Sequence, residues 1–419
     1  MKSFTADAVA ALPGPEWLRV RRAAAFQRFA AAELPTEAEE VWRYSRISEL
    51  DLDRFAPAVE GPETPDVPEP LRPLLDAAGE RAGLVFVVDG RIVTVELDDG
   101  LAAKGVVVGS LADLPHGDAV LGTVSGPNDV FGNLHAAFLR DPVVVHVPAG
   151  VAVERPIVVL QWVATEGVAV FPRTIVVAEE ASEVTVVDLA ASADVRALVV
   201  PTWELDAQPA ANLRYLNVQE LGPQVWQIGY QAGRVARDAT LQSAMVALGG
   251  DYARVRADSK LTGEGGTSHL LAVYFGDGTQ MHDFRTMQDH DAPKTTSDLL
   301  FKGAVEDAAR SVYTGLIRVK HGAAGTRAFQ TNRNLVLSEG ASANSVPNLE
   351  IEENDVSCSH ASAVGPIDAE QRYYLEARGV PTEVAERLIV LGFFDDVLDR
   401  VPVPGLRGPL RAAVEAKLR

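Results

Sequence analysis

The stretch PNLEIEENDVSCSHASAVGPIDAEQRYYLEARG, Pro347–Gly379, contains the change from strand to helix around which the chain is organised. Up to Val364 its residues suit a strand. After Pro366, DAEQRYYLEARG is patterned as a helix closed by Gly379, and Pro381-Thr382-Glu383 opens another. Side chains two apart on a strand share a face. Cys358 and His360 therefore present sulfur and nitrogen side by side, a combination that favours soft or borderline metals. Two ligands are half a metal site, and an isolated C-x-H is more often structural. The acidic run Glu352, Glu353 and Asp355 reads equally as a solvated edge that discourages strand pairing.

Downstream, TEVAERLIVLGFFDDVLDRV carries Val384, Leu388, Ile389, Leu391, Phe394 and Leu398 at helical spacing. An apolar set this dense implies burial on more than one side or a docking face for another protein; Leu388, Leu391 and Phe394 are the residues expected to bind a partner.

Upstream, Pro142–Val364 reads almost entirely as strand. VVVHVPAGVAV, RPIVVLQWVA, TIVVAEEASEVTVVDLA, RALVVPTWEL, NLRYLNVQEL, ATLQSAMVAL, ARVRADSKL, SHLLAVYFG, DLLFKGAV and SVYTGLIRVK are short, rich in β-branched residues and follow at roughly ten-residue spacing. Spacing leaves a sandwich, a barrel or a solenoid open, and no clean short repeat betrays a β-helix. LVFVVDGRIVTVEL, from Leu84, is a hairpin turning at Asp89-Gly90. NDVFGNLHAAFL, from Asn128, is an amphipathic helix in which His135 is a packed surface residue rather than a ligand. A helix is expected from Pro15 to Leu34, stopped by Pro35, then a short segment whose Trp42 and Tyr44 pack on the core. An extended linker follows, containing Pro57, Pro62, Pro65, Pro68, Pro70 and Pro73.

The chain has 419 residues and a formal charge of −20. That charge argues against nucleic acid or an anionic membrane as the main partner. A single cysteine excludes an internal disulfide framework and a self-contained four-thiolate cluster, and fits a reducing, cytoplasmic compartment. No run is long and apolar enough to span a bilayer, and no secretory leader is apparent. Walker, G-x-G-x-x-G, G-x-S-x-G and H-E-x-x-H motifs are all missing, so the usual sequence support for nucleotide binding or hydrolysis is lacking. One enzymatic alternative stands: a metal-dependent enzyme using His282 and His290 with the nearby Asp283, Asp289 and Asp291, on a β core that would be a solenoid if the resemblance described next holds.

The stretch NLEIEENDVSCSHASAVGPIDAEQRYYLEARGV and the following TEVAERLIVLGFFDDVL closely resemble the SufB/SufD family of iron–sulfur cluster assembly proteins. HDFRTMQDHDAPKTTSDLLFKGAV resembles the family's central motif, and VWRYSRI its N-terminal segment. The resemblance implies a mainly β fold: an N-terminal helical region and proline-rich linker (1–80), a β-rich region that is mostly right-handed parallel β-helix (81–365), and a C-terminal helical domain that docks an ATPase (366–419). Two departures point to the SufD branch. Asn332 stands where SufB carries a cluster-building cysteine, and His360 is followed by Ala361 rather than glutamate. What this implies is a non-catalytic scaffold that pairs with a SufB-like subunit and docks the ABC ATPase SufC. It would hold no cofactor tightly by itself and would share a transient iron–sulfur cluster at the SufB interface, with His360 and Cys358 as the residues nearest to it. Homodimerisation of the isolated chain is left open by the sequence.

Overall fold

The computed structural model describes residues 2–59, 66–127 and 129–418. Its centre is a right-handed parallel β-helix of about eight turns. The chain alternates between two sheets, so each strand pairs with the strand one turn before and one turn after. Thr267 pairs with Thr296, and Thr296 with Arg327, so a turn takes about 30 residues. The N-terminal ends of the two sheets are antiparallel. Gly83–Val88 pairs with Arg91–Leu97 through the Asp89-Gly90 turn, and Val107–Ser110 pairs with Val143–Val147. Asp89 (φ 46°) and Gly90 (φ 76°) both have the left-handed backbone that such a tight hairpin needs.

The sheets are buried on both faces, which is why their strands lack a clean polar alternation. Inward-facing residues such as Val186, Tyr215, Met245, Phe284, Phe301 and Tyr313 fill the solenoid. On the outer face of one sheet, the N-terminal helices pack Phe4, Phe29, Trp42, Phe131 and Phe138 against Phe171, Trp226 and Tyr252. The opposite sheet is covered by the C-terminal helices, where Val390, Phe394, Val397, Leu406 and Leu410 meet Leu216, Val246, Val273 and Phe275.

The helices lie close to where the sequence puts them: Glu16–Ala30, Val130–Phe138, Ala369–Glu376, Thr382–Leu398 and Arg407–Lys417. Charged side chains lock them to the solenoid. Lys302, 3% exposed, donates to the Phe393 carbonyl (2.7 Å) and pairs with Asp396. Arg400 meets Asp298 at 2.9 Å and Lys417 meets Asp277 at 2.6 Å. On the N-terminal side, Arg254 stacks on Trp42 (4.0 Å), pairs with Asp283 and donates to the Val41 carbonyl. Of the expected linker, residues 60–65, including Pro62 and Pro65, lie outside the described residues. Ala56–Pro57 pairs with Val168–Ala169, and Pro73 falls in a short helix, Arg72–Ala77.

Between the sheets, one backbone device recurs at a corner of successive turns. Ala181, Ala210, Asp238, Gly265, Lys294 and Gly325 all have positive φ, between 54° and 76°. Each of their amides donates to a carbonyl of the next turn: Ala181 to Pro209, Ala210 to Arg237, Lys294 to Ala324 and Gly325 to Asp355, for example. The repeat lies in backbone conformation, and its side chains have nothing in common.

Candidate functional site

The site is built on the last six strands: β1 (Met281–His290), β2 (Thr296–Val305), β3 (Arg310–Val319), β4 (Thr326–Val336), β5 (Ser342–Ile351) and β6 (Val356–Gly365). β6 pairs in parallel with β4, placing Cys358 beside Ala328, His360 beside Gln330 and Ser362 beside Asn332. Ala328, Gln330 and Asn332 are buried in the solenoid interior, so parallel pairing puts Cys358, His360 and Ser362 on the inward face too. The Ser362 hydroxyl donates to Ser345 of β5 (2.7 Å), linking the two sheets at this level.

Burial disappears in this last turn. β5 and β6 are almost wholly intermediate or exposed, and among the described residues no strand pairs with their outer edges. The interior therefore opens to solvent with His360, exposed, at its mouth. Cys358 is half-covered, packed against the Ile317, Val319, Ala323 and Ala328 cluster, and burial pushes its thiol pKa up. Exposed Leu349, Ile351 and Val364 add an apolar rim. The acidic run holds the neighbouring turn: Glu353 accepts from the Gly322 and Asn354 amides, which lowers its pKa.

Asn332 lies one turn deeper and is fully buried. It donates to the Tyr274 hydroxyl (2.9 Å) and the Phe301 carbonyl (3.3 Å), and accepts from Asn334 (2.8 Å). An amide so completely bonded is part of the interior framework.

Two groups of expected site residues are placed differently by the structure. His282 and His290 lie on the same strand, eight positions apart, a separation of about 26 Å at 3.3 Å per residue. Both rings are buried. His282 meets the Phe275 carbonyl (3.3 Å), while His290 lies between the hydroxyls of Thr295 (2.7 Å) and Ser297 (2.8 Å). Burial drives their pKa values down to about 3 and about 4, keeping both neutral. The nearby carboxylates are engaged elsewhere: Asp283 by Arg254, Asp289 by Arg318 and Asp291 by Lys320. No cluster of three or more His, Cys, Asp or Glu able to hold a metal occurs among the described residues. The enzymatic alternative on His282 and His290 therefore has no assembled site.

The second correction concerns the helix Thr382–Leu398. Leu391 and Phe394 are 2% and 0% exposed, and Phe394 packs on Phe275 with ring centroids 6.2 Å apart. They are the helix's attachment to the solenoid and cannot be a free docking face. Leu388 is 47% exposed, and Val384 one turn before it and Tyr373 and Tyr374 on the preceding helix are exposed too. The two tyrosines were not singled out in the sequence. Their signal was weak: consecutive aromatics on a short helix of otherwise polar residues.

Among the described residues, no helix is long and apolar enough to cross a membrane. Two family models cover most of the chain. "SufBD protein N-terminal region" matches residues 12–159, and "SUF system FeS cluster assembly, SufBD core domain" matches residues 161–393. An iron-sulfur cluster assembly SufBD family protein of Mycobacterium tuberculosis (strain ATCC 25618 / H37Rv) is 32% identical over 390 residues, covering 89% of this chain and 92% of its own. Iron-sulfur cluster assembly protein SufD of Bacillus subtilis (strain 168) is 28% identical, with 97% and 95% covered. The protein of the same name from Escherichia coli (strain K12) is also 28% identical, with 94% and 91% covered. The chain thus belongs to the SufBD family of iron–sulfur cluster assembly proteins and is most like its SufD members.

Proposed function

We propose that the chain is a non-catalytic scaffold subunit of a cytoplasmic iron–sulfur assembly complex, in which a SufB-like subunit caps the open end of its solenoid. The observation that carries this reading is the bare last turn: two strands with unpaired edges, an apolar rim, and His360 and Cys358 directed into the mouth they surround. Unpaired edges are templates for another chain's strands, and a soluble protein that leaves them uncovered is suited to a partner. A nascent cluster, as cargo, would form where that partner meets the mouth. Neutral imidazole at His360 and thiolate at Cys358 are ligand types suited to iron. Partner groups would complete the ligand set and exclude water.

The helical segment 366–419 would dock a SufC-like ABC ATPase through Tyr373, Tyr374, Val384 and Leu388. Its tight attachment through Lys302, Arg400 and Lys417 supports transmission of ATPase motion to the solenoid. Missing phosphate-binding motifs agree with nucleotide hydrolysis residing in the partner. Co-expression with SufB-like and SufC-like subunits, followed by size-exclusion chromatography, tests the reading. A complex containing all three is expected. A chain that elutes alone, and that supports cluster formation without partners, would overturn it.

A further inference from the structure

A second polar place lies in the N-terminal half of the solenoid, several turns from His360. Asp188, on the strand Glu183–Ser192, pairs in register with Asn217 on the next turn and is 1% exposed. Three donors converge on its carboxylate: Tyr215 Oη (2.7 Å), Thr174 Oγ1 (3.0 Å) and Trp203 Nε1 (3.3 Å). All three bond Oδ2. Asp188 Oδ1 is buried without a hydrogen-bond partner, and so is Asn217 Nδ2. Both residues line a cavity of about 30 Å³ that is also bordered by Gln161 and Gln227. That is room for one or two particles the size of water.

The charge balance narrows what can occupy it. Donors concentrated on Oδ2 favour the ionised carboxyl, while burial raises its pKa only to about 6, so the group is mostly anionic at neutral pH. The cavity lining contains no Lys, Arg or His. A buried carboxylate without a counter-charge is costly, and an acceptor left bare adds to that cost. Around this single negative charge stand only neutral groups, the side-chain amides of Gln161, Asn217 and Gln227. Hard oxygen donors with a total charge of −1 suit a monovalent cation. Divalent ions of comparable size are normally held by several carboxylates.

We propose that this cavity binds a monovalent cation of potassium size, with Asp188 Oδ1 as the anionic ligand and the amide oxygens of Gln161, Asn217 and Gln227 as neutral ones. The bound ion would tie together the two sheets of the early solenoid, since Gln227 belongs to one and Gln161, Asp188 and Asn217 to the other.

The test compares thermal unfolding of the full chain in potassium chloride and choline chloride at equal ionic strength. A saturable rise in Tm of about 2 °C is expected with potassium. Asp188→Asn, nearly isosteric, should fold and lose that difference. Crystals soaked in thallium(I) acetate should show an anomalous peak within bonding distance of Asp188 Oδ1. Equal Tm values in the two salts, a potassium effect retained by Asp188→Asn, or density for water with no thallium signal would each overturn the proposal. If Asp188→Asn fails to fold, the thallium experiment on the unaltered protein decides alone.

Discussion

Phe394→Ala and Leu388→Asp, two substitutions on one helix, should have opposite consequences. Phe394 is 0% exposed and wedged between Phe275, Phe393 and the sheet. Truncation removes a ring's worth of burial and leaves a cavity that helices clamped through Lys302, Arg400 and Lys417 cannot easily collapse. The cost is about 3–5 kcal/mol, or between two and four powers of ten in the folded-to-unfolded ratio. Leu388 points to solvent, so Leu388→Asp should stay within about 0.5 kcal/mol of the parent. Urea unfolding followed by near-UV circular dichroism measures both. Capture of a SufC-like ATPase on a column of each variant then separates docking from folding: Leu388→Asp should be folded and fail to capture, whereas Phe394→Ala should lose capture only as its terminal helices loosen. A Phe394→Ala protein as stable as the parent, or a Leu388→Asp protein that unfolds, would refute this division of the helix into an inner and an outer face.

Acid should destabilise the fold well above the carboxylate range. His135, His282 and His290 are buried neutral with pKa values near 3, 3 and 4, far below the ordinary imidazole value. Depressed pKa values mean stability that is present above about pH 6.5 and lost as pH falls toward 4. The urea midpoint should therefore drop between pH 7 and pH 5, and less so in His282→Phe; a flat midpoint would contradict neutral burial. Glu204→Gln breaks the fully buried pair with Arg173 and weakens the carboxylate's hold on the amides of Gly122, Val124 and Ser125, so a loss of about 3–5 kcal/mol is expected by calorimetry, with early protease cleavage near 121–127. His360→Ala should leave the unfolding curve unchanged but lower cluster assembly in the reconstituted complex, measured by visible absorbance. Undiminished assembly would remove His360 from the mechanism.

Local chemistry made parts of the fold readable. Asp89-Gly90 announces its hairpin, Gly379 closes its helix with φ 86°, and the strand series from Val143 falls where β-branched residues cluster. The solenoid itself does not announce itself in composition or spacing. Its recurring corner is a left-handed backbone position occupied in turn by Ala, Ala, Asp, Gly, Lys and Gly, and strands buried on both faces carry no alternation to reveal which side is inner. Family resemblance supplied what periodicity could not. The same limit explains the two misplaced groups. Helical spacing identifies apolar residues but not which stripe meets the solenoid, so Leu391 and Phe394 were grouped with Leu388. His282 and His290 are close in sequence, yet an extended strand carries them far apart.

In a solenoid each turn is held only by its neighbours, so stability is distributed turn by turn rather than globally. The turn made by β5 and β6 has a neighbour on one side alone and little buried surface of its own. It is therefore the solenoid turn with the lowest opening free energy, and its amides should exchange with deuterium before those of the turns beneath it. A capping partner would supply the missing neighbour. Ordering His360 and Cys358 would then be coupled to recruitment itself, so that the ligands become fixed only when there is a second subunit to share them with.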